Sequence, residues 1–310
     1  MKRMHSDILA FAGVFLLLAA YLASALPALP AGTRPSSVLL AAAVLLSCSG
    51  ILYFINERTG TGVSLFAPAI YLVLATARPG ALCFTAFHAA VLLTAVSMHF
   101  YLLFNTVRPA TDCLAAGCLA LGAAALIEPP LLWLAPVLTL TSTGRAEEKM
   151  KFWVTALLTL TLPFFAWYGI EYLRGRFEPL PEVLSRIGTQ MCTLRQPAFR
   201  YPDATLCRIL LVALMTLLAI ISTIRRSGTY KIAQFRASVC LTVLTLSFSL
   251  LTLLFYLSSA VPGGMLTALP AAPLLSGWIS RPGQKKGTRT LLLTTLLVLL
   301  IERIACLLRQ

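Results

Sequence analysis

The sequence has little charge. Asp, Glu, Lys and Arg make up 12% of its 310 residues, and only 11 residues are acidic. A soluble domain carries roughly 25% charged residues, because a surface that faces water needs charge. With 58% hydrophobic residues, the composition argues against a soluble globular domain and predicts a protein of the lipid bilayer.

The common catalytic and cofactor motifs are also missing. The chain has no G-x-x-x-x-G-K-[ST], G-x-G-x-x-G, H-E-x-x-H or G-x-S-x-G pattern. Its eight cysteines form no C-x-x-C pair, and most lie inside apolar runs, as small buried side chains do. We therefore expect neither a cofactor nor a metal site, and no ATPase, dinucleotide enzyme or zincin.

Long charge-free runs are what the chain does have. The run Ala237–Ser280 alone would form a helix of about 66 Å, twice the ~30 Å hydrocarbon core, so it must fold back. Such runs exceed the ~10-residue alternating segments of membrane strands. They predict an all-α, polytopic transmembrane helix bundle of about eleven spans. The predicted spans are Ile8–Leu26, Ser36–Asn56, Val63–Ala77, Ala81–Phe104, Cys113–Ile127, Leu131–Thr141, Phe152–Leu173, Leu206–Ile224, Ala237–Leu257, Pro262–Ile279 and Thr290–Leu308.

The distribution of Lys and Arg predicts the orientation. With the N-terminus inside, the cytoplasmic segments hold 15 of these residues and the outer segments hold 8. This bias favours N-terminus in and C-terminus out. Most of the net charge of +14 then reflects the membrane topology and gives the protein an affinity for anionic lipid head groups. We expect no nucleic acid partner.

Residues 1–310 are predicted to form a single transmembrane domain with one sizeable extracytoplasmic loop, at about residues 174–205. Within it, the segment Glu182–Thr193 is predicted to be a short amphipathic helix, because Val183, Leu184, Ile187 and Met191 share one helical face.

Three points stay open from the sequence. Met1–Ala25 is either a retained first span or a signal peptide that ends at Ala23-Ser24-Ala25. Cys113–Thr141 is either two thin spans or a re-entrant hairpin with Glu128 at its apex, and a re-entrant backbone needs protein or water around it. A disulfide between Cys192 and Cys207 is compatible with an outer loop. The oligomeric state is open as well.

Two carboxylates are the candidate catalytic groups. Glu128 precedes Pro129 and Pro130 at the outer apex, where broken helices leave backbone carbonyls unpaired, so an outward cavity is one reading and a turn-capping acid is the other. Glu171 ends the seventh span beside an aromatic belt, and its i, i+3 spacing to Arg174 predicts an ion pair.

The candidate binding residues are Arg34, Arg78, Arg174, His88 and His99. His88 and His99 are eleven residues apart on one helix, so both imidazoles point the same way, about 16 Å apart. The spacing rules out a shared metal and admits a proton path, although a packed histidine is the more ordinary reading. The arginines and acids of the outer face together suit a lipid-linked anionic substrate, held by arginine and activated by a carboxylate base.

Several short motifs carry a resemblance that runs over most of the chain. They are Ile55-Asn56, Pro68 with Tyr71, Arg108 with Asp112, Glu128-Pro129-Pro130, Leu162-Pro163-Phe164, and Ala268-Leu269-Pro270 ahead of the basic loop Arg281–Arg289. The chain resembles a family of bacterial polytopic inner-membrane proteins of unknown function, found in gut and gliding Gram-negative species. The resemblance implies the same polytopic fold and assigns no catalytic residue.

Three function classes follow from this sequence. The first is a non-enzymatic component of the cell envelope, which needs few special residues. The second is a polytopic enzyme that acts on lipid-linked sugars, of glycosyltransferase or glycan polymerase type, with a lipid-linked glycan as its partner. The third is a secondary transporter, which repeated halves and paired broken helices would support.

Overall fold

The computed structural model describes residues 34–59, 66–76, 79–106, 110–143, 148–176, 178–192, 216–221, 224, 232–256 and 263–279. Every regular element within these ranges is helical. The prediction of an all-α protein is confirmed for this part of the chain. The predicted spans Ile8–Leu26 and Thr290–Leu308 lie outside it, and so does most of Leu206–Ile224, of which residues 216–221 are helical.

Of the described helices, four are long and apolar enough to cross a membrane. A helix of 25 residues is about 37 Å long, which exceeds the hydrocarbon core. The four are α1 (Pro35–Thr59), α3 (Ala86–Thr106), α6 (Lys149–Leu173) and α8 (Ile232–Leu251), the last extended to Tyr256 by a π-helical turn, Thr252–Tyr256.

The remaining elements are shorter. They are α2 (Phe66–Ala75), a 3₁₀ helix at Pro79–Leu82, α4 (Thr111–Ile127), a 3₁₀ helix at Pro129–Trp133, α5 (Leu134–Ser142), α7 (Leu180–Cys192) and α9 (Gly264–Ile279).

Several of the expected spans begin or end at other residues in the structure. The described part of the segment expected at Val63–Ala77 is helical at Phe66–Ala75 and ends in a turn at Thr76. The segment expected at Ala237–Leu257 begins earlier, at Ile232. The segment expected at Ala81–Phe104 begins later, at Ala86, because Pro79–Leu82 forms a separate 3₁₀ helix.

The bundle has its centre at α9. Its side chains are almost all buried, including Leu269, Leu275 and Trp278. A helix that is hydrophobic and buried on every side lies within a bundle rather than at its surface. In contrast, α6 buries only Phe152 and Ala156, and many of its other apolar side chains remain exposed.

One end of the bundle is defined by contacts between the ends of several helices. The Phe84 amide donates a 2.9 Å hydrogen bond to the Ser37 hydroxyl, which joins the starts of α1 and α3. Phe87 stacks against Tyr256, with ring centroids 5.1 Å apart, and the Tyr256 hydroxyl donates to a Glu128 carboxylate oxygen at 3.4 Å. We name this the Glu128 end.

The opposite end is tied by two buried side-chain hydrogen bonds. The Asn56 amide donates to the Ser276 hydroxyl at 2.8 Å, joining α1 to α9, and the Asn105 amide donates to the Ser142 hydroxyl at 2.8 Å, joining α3 to α5. We name this the Asn56 end. Helices α1, α3 and α9 therefore run from the Glu128 end to the Asn56 end, whereas α4 and α8 end at the Glu128 end.

A close crossing joins α4 to α6. A Cβ atom built on Gly122 would collide with the backbone oxygen of Leu160 and lie 3.2 Å from Cγ of Pro163. The absence of a side chain at Gly122 lets the two backbones approach this closely. Helix α4 packs against α6 at this crossing. It also packs against α3, where Gly117 lies next to Tyr101.

Candidate functional site: a cleft at the Glu128 end

A cleft of about 300 Å³ opens between the C-terminal end of α6 and the start of α7. Three aromatic side chains of the last turns of α6, Trp167, Tyr168 and Tyr172, form one wall. Val183 of α7, which is 5% exposed, lines the other side. These two sides of the cleft are thus aromatic and apolar.

Four charged side chains also line the cleft. Glu171 comes from α6, Arg176 and Glu178 from the connection, and Arg186 from α7. Local sequence explains how they come together, because the turn after α6 is sharp and α7 folds back at once.

The turn is a Schellman motif. The Gly175 amide donates to the Tyr172 carbonyl and the Arg176 amide to the Glu171 carbonyl, both at 3.0 Å. Gly175 has φ of +71°, which a residue without a side chain adopts without steric cost. This geometry ends α6 and fixes the backbone from which Arg176 extends.

Helix α7 is held on the bundle at both of its ends. The Tyr168 hydroxyl donates to the Glu178 carbonyl at 3.2 Å, and the Trp133 indole donates to the Met191 carbonyl at 3.2 Å. The predicted amphipathic helix is therefore present at Leu180–Cys192 and lies against the 3₁₀ helix after Glu128. Of the predicted apolar face, Val183 is buried, whereas Leu184 is 58% exposed.

Two ion pairs occupy both carboxylates of the cleft. Arg174 Nη1 lies 3.3 Å from Glu171 Oε1, with side chains 63% and 21% exposed, and the predicted i, i+3 pair is confirmed. Arg186 Nη1 lies 2.9 Å from Glu178 Oε2. Within the described ranges, Arg176 has no carboxylate within 4 Å. Among the described cations that line the cleft, its guanidinium is therefore the one that forms no ion pair.

Glu128 lies elsewhere at the same end. Its backbone is extended ahead of Pro129, which stops α4, and its half-buried carboxylate accepts the hydrogen bond from Tyr256. It does not line the cleft that contains Glu171. The structure thus brings Glu171 and Arg174 together and places Glu128 beside α8.

The two histidines have different surroundings. His88 is fully buried, with Nε2 2.9 Å from the Ala81 carbonyl oxygen and Nδ1 3.1 Å from the Thr85 hydroxyl, so it tethers the start of α3 to the preceding loop. His99 is half-buried, and its Nδ1 has no hydrogen-bond partner among the described residues. A proton path between them stays a prediction.

The other candidate arginines are Arg34 and Arg78, and the structure describes only Arg34. Arg34 is exposed, and its carbonyl accepts the Ser37 amide at 2.9 Å at the start of α1. Arg78 lies outside the described residues, as do Met1–Ala25 and Cys207. Arg176, Glu178 and Arg186 were not predicted from the sequence as site residues. The local signal for this site is Gly175, because glycine commonly ends a helix and here forms the turn from which Arg176 extends.

Searches with family models, among curated proteins and among solved structures find no match to this chain. Among the residues described, no group of three His, Cys, Asp or Glu side chains could hold a metal ion. In the part of the chain that the structure describes, every regular element is helical and four apolar helices are of membrane-crossing length, which indicates association with a membrane.

Proposed function

We propose that this chain is a multi-pass protein of the bacterial inner membrane, with about eleven spans and a cytoplasmic N-terminus, and that it serves as a non-enzymatic component of the cell envelope. The two opposite running directions of the described helices between the Glu128 end and the Asn56 end support a multi-pass topology. Helix α7 lies at the Glu128 end, whereas α8 begins about 37 Å from Tyr256 at the other end. A return crossing near the proposed span Leu206–Ile224 accounts for that change of side.

The pairing of the acidic groups supports a non-enzymatic role. Glu171 and Glu178 are each engaged by an arginine, and Glu128 is hydrogen-bonded to Tyr256. These contacts join helices and connections to one another, as expected of groups that stabilise the Glu128 end.

Cys192 provides the test of orientation, because it is exposed at the end of α7. In a variant that keeps Cys192 as its only cysteine, a membrane-impermeant maleimide should label the protein in cells whose outer membrane alone is permeabilised. Glu57 is exposed near the Asn56 end, so Glu57→Cys in a cysteine-free background is the matched control and should react only after lysis. The opposite labelling pattern would reverse the proposed topology.

The cleft itself favours one alternative, an enzyme that acts on lipid-linked sugars from the outer face. Glu171, Arg176 and the aromatic wall would then hold and activate a phosphate-linked substrate.

Under the enzyme alternative, Glu171→Gln should abolish incorporation of envelope glycan while expression stays normal, because an amide cannot act as a base. Glu57→Gln is the control, since Glu57 is exposed and lies at the other end of the bundle. Glu128→Gln is a second control, because Glu128 lies outside the cleft. Unchanged glycan profiles of Glu171→Gln on labelled-sugar gels would reject the enzyme and leave the non-enzymatic proposal.

A further inference from the structure

We propose that the cleft between α6 and α7 binds the phosphate of a membrane lipid head group, with Arg176 as the ligand of the phosphate. This deepens the proposed function, on which it rests for the position of the cleft at a bilayer surface. The chemical class of the ligand follows from three observations on charge, lining and position.

The charge of the cleft selects an anion. Both of its carboxylates are neutralised by Arg174 and Arg186, so an ammonium group would find no free acid there. Arg176 is exposed and lines the cleft, and no described carboxylate is paired with it. A guanidinium offers a planar fork of N–H donors that matches two phosphate oxygens.

The surroundings of the cleft select a lipid over a soluble phosphate. Trp and Tyr side chains prefer the level of the lipid head groups, and three of them form the wall of the cleft. Before this wall in the chain, the face of α6 that is left uncovered is apolar: Phe165 is 67% exposed and Leu157 is 65% exposed. Acyl chains can lie along this face while the head group enters the cleft.

The backbone of Arg176 is held in place before any ligand binds. The Schellman hydrogen bond from its own amide to the Glu171 carbonyl fixes its backbone beside the aromatic wall. A ligating residue held in place in this way loses less conformational freedom on binding, and preorganisation of this kind raises affinity.

The test uses the full-length chain, purified in a mild detergent, with phosphatidylglycerol as the probe and uncharged diacylglycerol as the control lipid. Native mass spectrometry reports the fraction of chains that retain one lipid. Wild type should retain phosphatidylglycerol and not diacylglycerol. Arg176→Gln should weaken retention about tenfold, the loss expected for one charge-assisted interaction, and Arg176→Lys should be intermediate.

The matched control is Arg236→Gln, since Arg236 is also exposed but lies near the start of α8 at the Asn56 end. It should retain lipid as wild type does. Equal losses in Arg176→Gln and Arg236→Gln, or no loss in either, would overturn the inference. Displacement of the lipid by millimolar glycerol phosphate would overturn the lipid assignment and give the site to soluble phosphate esters.

Failure of this inference is separable from failure of the proposed topology. The lipid measurement is made in detergent and does not depend on which side of the membrane α7 occupies. Outward labelling of Cys192 together with lipid retention unchanged by Arg176→Gln would reject the phosphate site alone.

Discussion

Gly122→Val is expected to prevent the accumulation of folded protein, and Gly122→Ala to lower the free energy of unfolding by at least about 3 kcal/mol, the upper part of the range for overpacked sites. The physical reason is the close crossing of α4 and α6. Even the single added carbon of alanine would meet the backbone oxygen of Leu160 and the ring of Pro163. A backbone atom cannot move away by a change of rotamer, so the two helices must separate.

Two glycines of long helices supply the controls for this effect. At Gly169 of α6 and Gly50 of α1, an added Cβ would have no atom within 4 Å. Alanine at either position should leave stability unchanged or raise it by about 0.5–1 kcal/mol, because glycine is entropically unfavourable within a helix. Unfolding curves in mixed micelles of detergent and dodecyl sulfate measure all three variants. Equal stability of Gly122→Ala and Gly169→Ala would show that the crossing is not tight.

Tyr256→Ala is expected to lower the free energy of unfolding by about 3 kcal/mol, the size of effect known for buried aromatic side chains cut back to alanine. Tyr256 is 2% exposed, packs on Phe87, and has Gly263 pressed against its Cβ, where a further carbon would come within 2.5 Å. Removing the ring leaves a cavity at the Glu128 end and deletes the hydrogen bond to Glu128.

The ring and the hydroxyl can be separated by a second substitution. Tyr256→Phe keeps the packing and removes only the hydrogen bond, so it should cost about 1 kcal/mol, within the range measured between membrane helices. Tyr172→Ala is the exposed control, since Tyr172 is 62% exposed, and it should change stability little. A loss in Tyr256→Phe as large as that in Tyr256→Ala would assign the stabilisation to the hydroxyl rather than to packing.

Local patterns in the sequence were sufficient for the class of fold and for several helix positions. The apolar run that begins at Phe152 predicted the end of α6 at Leu173 to the residue, and the spacing of Glu171 and Arg174 predicted their ion pair. Amphipathic periodicity also located α7. Each of these depends on residues close together in the chain, which a single sequence displays directly.

The contacts that build the Glu128 end depend on residues far apart in the chain. Nothing near Glu128 indicates a partner 128 positions later in a π-helical turn. The crossing at Gly122 likewise depends on a distant part of the chain, since a glycine in the sequence does not indicate which backbone will approach it. Arg176 was counted as one loop arginine among five because its position depends on the turn at Gly175.

The hydrogen bond between Asn56 and Ser276 has a consequence for biogenesis. The two residues are 220 positions apart, so a ribosome that adds about 5–20 residues per second needs roughly 10–45 s to supply the second after the first. Throughout that interval α1 is present without α9, the helix around which the others pack. The early helices therefore cannot complete their mature packing until translation is nearly finished.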